Sequence, residues 1–239
     1  MDINDLLKSI NNNNKAESIG TKKEKTIHSF IKYLISPDPT NHEININKNI
    51  VDVFINNHIY EIQTKSFNLL RQKFDNMLDD YELTVVYPIY KSTTIYKLND
   101  NDEIISIRKS PKKECLFSIG DELYKIKKYL KHPNLSFKII EFECIEYKKE
   151  RLNKRKQIKL TSVDRIPQKI TYIYDIKKIA NWNEYIDFDD EFTKKDFMKK
   201  YHLPNKKANC MLNVLKDLDI IYINRKIKNS YVYKKHIRN

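Results

Sequence analysis

The segment that most limits how this chain can fold is residues 50–64, IVDVFINNHIYEIQT. Two β-rich runs, residues 50–55 and 58–64, flank Asn56-Asn57, and asparagine tolerates the φ > 0 that a tight hairpin turn demands. A two-residue loop pairs Ile55 with His58, and counting back sets Asp52 opposite Glu61. Side chains alternate along a strand, so Glu61, Gln63 and Lys65 share the face of Asp52, while Tyr60 and Ile62 point the other way. Opposed side chains on one face have Cβ atoms roughly 5 Å apart, where like charges destabilise the pairing. A divalent cation turns that repulsion into ligation, and Mg²⁺ is usually held by one or two carboxylates plus substrate phosphates. A longer loop would shift this register.

Around the hairpin the chain alternates helical and extended patterns. Residues 1–16 form a short amphipathic stretch ending in an Asn run, read as a flexible segment. Residues 21–35 read as a helix with Ile27, Phe30, Ile31 and Leu34 as its apolar stripe and Pro37 closing it. Glu24 and His28 stand four apart on it and share a face. Residues 66–78 form a second helix, 83–90 a short apolar strand of the kind buried inside a sheet, and 95–97 with 103–108 a further hairpin. A helix over 118–130 and a strand over 137–147 follow. Residues 148–159, KKERLNKRKQIK, are a basic run that reads as a loop, an arm or the edge of a wing.

This order carries a resemblance. Asp52 followed by Glu61-Ile62-Gln63 resembles the metal-binding signature of the PD-(D/E)XK nuclease superfamily, an Asp at one strand and Glu-X-Lys on the next. A narrower prokaryotic family of such nuclease-like proteins, of the Glu-Ile-Gln-Thr type, is similar over residues 17–150. The matching pieces are Gly20 to His28, His42-Glu43, Val51-Asp52, Glu61 to Thr64, Val86-Tyr87-Pro88-Ile89, Arg108 to Lys112 and Asp121-Glu122-Leu123. The resemblance implies a restriction-endonuclease-like mixed sheet flanked by helices, with Asp52 and Glu61 as ligands of Mg²⁺, or of Mn²⁺ as its substitute. Glu24 becomes a further carboxylate, and Gln63 takes the place of the lysine. A Val precedes Asp52 where the superfamily has Pro, and Pro37-Asp38 sits in a Pro-rich loop instead. Gln63 orients water but carries no charge; Lys65 on the same face, or Lys73 on the next helix, can supply it. His28 reads as a structural partner of a carboxylate more readily than as a ligand. His42-Glu43 is either a supporting pair or loop surface.

Charge is divided unevenly along the 239 residues. Residues 148–239 hold 24 Lys/Arg against 11 Asp/Glu, a net of +13, which is the net charge of the whole chain; residues 1–147 hold 21 of each. A neutral half with clustered carboxylates joined to a basic half favours an anionic polymer as partner, nucleic acid first. The plainer alternative is a Lys-rich solvated surface. With 40% hydrophobic residues and 16 Tyr this is a folded chain. It has no run of eighteen apolar residues and no signal-peptide pattern at its start, so no membrane partner and a cytoplasmic location are expected. Cys115, Cys144 and Cys210 are odd in number and widely spaced, which supports neither a disulfide framework nor a zinc site.

The last third reads as a winged helix-turn-helix. Thr193-Lys194-Lys195-Asp196 is a capping-box-like start, Leu203-Pro204-Asn205 the turn, and residues 206–218 the second helix. At 100° per residue Ala208, Met211, Leu212, Leu215 and Leu218 fall on one side, and Lys206, Asn209, Asn213 and Lys216 on the other. Residues 220–225 and 230–235 form a hairpin around 226–229. Lys206, Lys207, Asn209, Asn213, Lys216, Arg225, Lys226 and Lys228 are the candidate DNA contacts, lysines on phosphate or guanine and Asn on adenine. Trp182 reads as core.

The expectation is therefore an α/β nuclease domain over 17–147, a basic linker or arm over 148–169 and a winged-helix domain over 170–239. Together they would make a Mg²⁺-dependent DNA endonuclease of a restriction, phage-defence or mobile-element system, with Asp52, Glu61, Gln63, Lys65 and Glu24 as its chemistry. A homodimer is left open. The alternatives are a catalytically inactive nuclease fold that binds DNA as a regulator, and a protein-interaction module.

Overall fold

The computed structural model describes residues 3, 6, 25–152 and 157–236. It is an α/β protein with a large mixed sheet flanked by helices. Helix α1, Thr26–Ile35, buries Ile27, Phe30 and Ile31. No side chain of its own N-cap serves it. Asp164 does so from far along the chain, accepting from the backbone N–H of Thr26 at 3.1 Å and from its hydroxyl. An orphan donor of the first turn is thereby satisfied.

Strands β1, His42–Ile46, and β2, Asn49–Ile55, pair antiparallel with Ile44 against Val51. The turn into β3, His58–Ile62, consists of Asn56 and Asn57 at φ 51° and 64°. Both residues are left-handed, as a two-residue hairpin turn requires. From β3 the chain passes through a 3₁₀ turn, Phe67–Leu70, and helix α2, Arg71–Met77, into β4, Glu82–Leu98. β3 and β4 are parallel, with Glu61 beside Val85 and Tyr60 beside Thr84, and a parallel pair needs such a crossover. β5, Ile104–Lys109, turns back on the far end of β4. Helix α3, Gly120–Lys125, lies between 3₁₀ turns Leu116–Ile119 and Lys127–Tyr129. β6, Leu135–Leu152, and β7, Ile158–Ile176, complete a seven-stranded sheet of order β1-β2-β3-β4-β6-β7, with β5 on β4.

Several elements differ from the sequence expectation. The helix expected over 66–78 begins as 3₁₀, because Ser66 enters it at φ 63°. The helix over 118–130 breaks at Ile126. The basic run expected as a linker is mostly strand, since 148–152 belong to β6 and 158–169 to β7. Exposed strand ends accept Lys and Arg because their stems lie along the sheet while the charges stay in water. Residues 153–156, Lys154 and Arg155 among them, lie outside the described residues.

Described residues within Met1–Ile55, Tyr90–Glu114 and Ile140–Tyr172 form one compact unit; those within Asn56–Ile89, Cys115–Ile139 and Ile173–Asn239 form another. The second unit ends in helix α4, Trp182–Tyr185, strand β8, Phe192–Thr193, helices α5, Lys194–Tyr201, and α6, Asn205–Asp217, and strands β9, Ile221–Ile227, and β10, Ser230–Lys235. These strands form a three-stranded sheet of order β8-β10-β9. Thr193 and Asp196 cap α5 reciprocally, as a capping box does. Trp182 is core. So are Ala208, Met211, Leu212, Leu215 and Leu218, while Lys206, Asn209, Asn213 and Lys216 are exposed. Where α3 meets α6, a Cβ on Gly120 would stand 2.6 Å from Met211 Cβ and 2.8 Å from its backbone nitrogen, so only glycine permits that approach. Among the described residues no helix is long and apolar enough to cross a membrane.

Candidate functional site

Asp52 lies mid-way along β2, half-buried, with its Oδ2 3.4 Å from Nε2 of His28. His28 is the third residue of α1, and the Asp164 cap fixes that helix end. The contact is an ion pair when the imidazole is protonated. Expected four residues from Glu24 on one helix face, His28 thus has a carboxylate partner on a strand. Glu24 itself lies outside the described residues. His42 and Glu43 are engaged locally: Nε2 of His42 sits 2.9 Å from the Ser36 carbonyl, and Glu43 accepts from Lys32 at 2.9 Å.

Glu61 is 1% exposed on β3. Its Oε1 accepts from Lys73 Nζ at 2.6 Å. Lys73 reaches it from α2, whose position is set by Phe74 and Met77 in the core and by Glu122, which accepts from the backbone N–H of Phe67 at 2.8 Å. An isolated carboxylate so deep in protein is costly, and a hydrogen-bonded cation removes most of that penalty. Gln63 closes the strand, its backbone N–H donating to Val86 at 2.9 Å. β3 stops at Ile62, so strand alternation does not extend to Lys65, which stands exposed on the bend before Ser66. Of the two lysines the sequence offered, Lys73 is the one on Glu61. Among the described residues no group of three or more His, Cys, Asp or Glu is gathered in metal-holding geometry.

In the second unit a groove of about 420 Å³ runs between α6, the start of α5 and the β9–β10 hairpin. Lys194, Lys195, Asn209, Asn213, Lys216 and Tyr231 line it. The sequence singled out three of these; Lys194, Lys195 and Tyr231 join them because the cap at Thr193 starts α5 beside α6. Other candidate contacts are engaged within the fold. Lys207 donates to the Ser118 carbonyl at 2.7 Å and lies 3.7 Å from Asp121. Arg225 pairs with Glu191 at 2.7 Å. Asn213 accepts from Lys127 at 3.3 Å. Lys206 and Lys216 stay exposed, Lys226 sits 5.9 Å over the Tyr231 ring, and Lys228 forms the hairpin turn at φ 51°.

A strand hairpin with buried acid, a crossover helix on one face and a separate basic groove define an α/β protein with two distinct polar sites. The chain belongs to the family described as a domain of unknown function, DUF8091, which matches residues 25–177; α4 to β10 lie beyond that match. An uncharacterized protein of Treponema pallidum (strain Nichols) is 30% identical over 164 residues, covering 64% of this chain and 65% of the relative. The alignment thus spans just under two thirds of that relative's length. No solved structure matches the chain.

Proposed function

We propose that this protein is a metal-dependent DNA endonuclease of the PD-(D/E)XK type, held on DNA by a winged helix and working in the cytoplasm as part of a restriction, phage-defence or mobile-element system. The observation that carries the reading is Lys73 Nζ at 2.6 Å from Glu61. The strand motif lacks its lysine at Gln63, and a helix delivers a cation to the motif's carboxylate instead. Asp52 and Glu61 are hard oxygen donors of the kind that suit Mg²⁺ or Mn²⁺. A bound ion would polarise the scissile phosphate and lower the pKa of the attacking water. Gln63 would orient that water, and Lys73 would neutralise charge developing on the phosphate.

The order α5, turn, α6 and hairpin, with β8 as third strand, supports the winged helix. The groove residues Lys194, Lys195 and Lys216 supply phosphate contacts, and Asn209 a base contact. Incubating the protein with plasmid and single-stranded DNA plus Mg²⁺ or Mn²⁺ tests the proposal. Wild type cleaves, Asp52→Ala does not, and Lys206→Glu with Lys216→Glu lowers cleavage by weakening DNA binding and its salt dependence. Cleavage by Asp52→Ala at the wild-type rate refutes it. One observation favours a second reading, a nuclease fold kept only for DNA binding: Lys73 already compensates Glu61 with no metal required. That reading expects salt-dependent DNA binding without cleavage.

A further inference from the structure

The β3 residues that alternate with Glu61 face a cleft of about 530 Å³ within the second unit, inside the roughly 300–1,000 Å³ usual for small-ligand sites. His58 and Tyr60 stack there, ring centroids 4.4 Å apart and planes 15° apart. His58 Nδ1 lies 3.1 Å from Glu82. Its Nε2 lies 2.6 Å from the Thr84 hydroxyl, which lies 2.6 Å from that of Ser136. A carboxylate can only accept, so the neutral ring donates from Nδ1 to Glu82 and accepts at Nε2 from Thr84. The Thr84 oxygen then accepts from Ser136. Each hydroxyl proton in this row is used, so the Ser136 oxygen, which lines the cleft, keeps its acceptor capacity. Burial pushes the His58 pKa down, against the pull of Glu82, and Lys177 adds to the fall, which keeps the ring neutral near pH 7.

The charges of the cleft do not cancel evenly. Lys138 is paired with Asp175, while Glu82 keeps its negative charge because the His58 ring that donates to it is neutral. Lys177 and Lys178 line the same cleft and are in no ion pair with a described carboxylate. The three lysines of the cleft exceed its two carboxylates by one charge, and a flat aromatic pair, an acceptor row and two adjacent lysines are complementary to a planar ring that carries donors and a phosphate.

We propose that this cleft binds a nucleoside monophosphate, its base against the His58–Tyr60 stack with an amino or ring N–H on Ser136 Oγ, and its phosphate at Lys177 and Lys178. The site is independent of the nuclease reading. Calorimetric titration of the full chain in EDTA, which keeps divalent metal away from Asp52 and Glu61, tests it with AMP, GMP, CMP and UMP. Adenosine and inorganic phosphate serve as separate arms. At least one nucleotide saturates the protein and binds tighter than either adenosine or phosphate. Tyr60→Leu weakens that nucleotide by roughly tenfold, the scale of base stacking on an aromatic side chain, and leaves phosphate binding unchanged. Lys177→Ala with Lys178→Ala, both at the rim, weakens nucleotide and phosphate alike and spares adenosine. The proposal is overturned if no nucleotide saturates at concentrations on the order of 10 mM. It is equally overturned if a nucleotide binds no tighter than phosphate, or if Tyr60→Leu and the double lysine variant bind it as the wild type does.

Discussion

One face of β3 presents Ile59 and Glu61 to the interior; the other presents His58 and Tyr60 to an open cleft. Glu61 rests on a cation from a helix, Lys73. His58 is held between two strand neighbours, Glu82 and Thr84, and Glu82 is 72% exposed on its side chain. The same alternation therefore yields a brittle polar site and a tolerant one. Where water cannot enter, removing a partner leaves a charge unsolvated; where it can, water takes the empty place.

The sharpest way to break this contrast is Lys73→Ala. It removes the ammonium that donates to buried Glu61, and the expected loss is about 2 kcal/mol, below the roughly 3–5 kcal/mol of a fully enclosed pair because Lys73 is partly exposed. Adding Glu61→Gln should restore much of that loss, a coupling that a double-mutant cycle of urea melts will read. Thr84→Val should cost on the order of 1 kcal/mol, since Nε2 of His58 and the Ser136 hydroxyl each lose a partner beside water. If Thr84→Val costs as much as Lys73→Ala, the two faces do not differ as argued.

The smallest effect is a pH slope. The folded His58 pKa lies below the usual 6.5, so between 6.5 and that lower value the unfolded chain binds the proton more readily. Stability is fully present above 6.5 and falls as pH drops through this window. His58→Asn should lose that part of the slope, seen by comparing urea midpoints of the two proteins at several pH values.

What could be read from the sequence was local. Asn56-Asn57 specifies the hairpin turn through two left-handed residues, and the α6 faces follow from spacing alone. Long-range pairs could not be read this way. His28 meets Asp52, and Lys207 meets Asp121, across separations that no periodicity encodes. Arg225 looked free because its partner Glu191 lies a helix-turn-helix away. The choice between Lys65 and Lys73 turned on where β3 stops, at Ile62, which ends strand alternation before Lys65. The end of β6 and the whole of β7 were missed because 148–152 and 158–161 hold no buried residue, and Lys148-Lys149-Glu150-Arg151 has the composition of a loop.

The missing side chain at Gly120 has a mechanical side. It lets the α3 backbone rest directly on that of α6 at Met211, with no compressible side-chain layer between them. Two residues on, Glu122 grips the backbone N–H of Phe67, at the turn that leads into α2 and so to Lys73. From the groove helix to the cation on Glu61, the second unit is thus joined by stiff links, backbone against backbone and then one buried hydrogen bond. Packing this close leaves α3 and α6 little room to slide past one another, so α6 and the turn at Phe67 are coupled through Glu122.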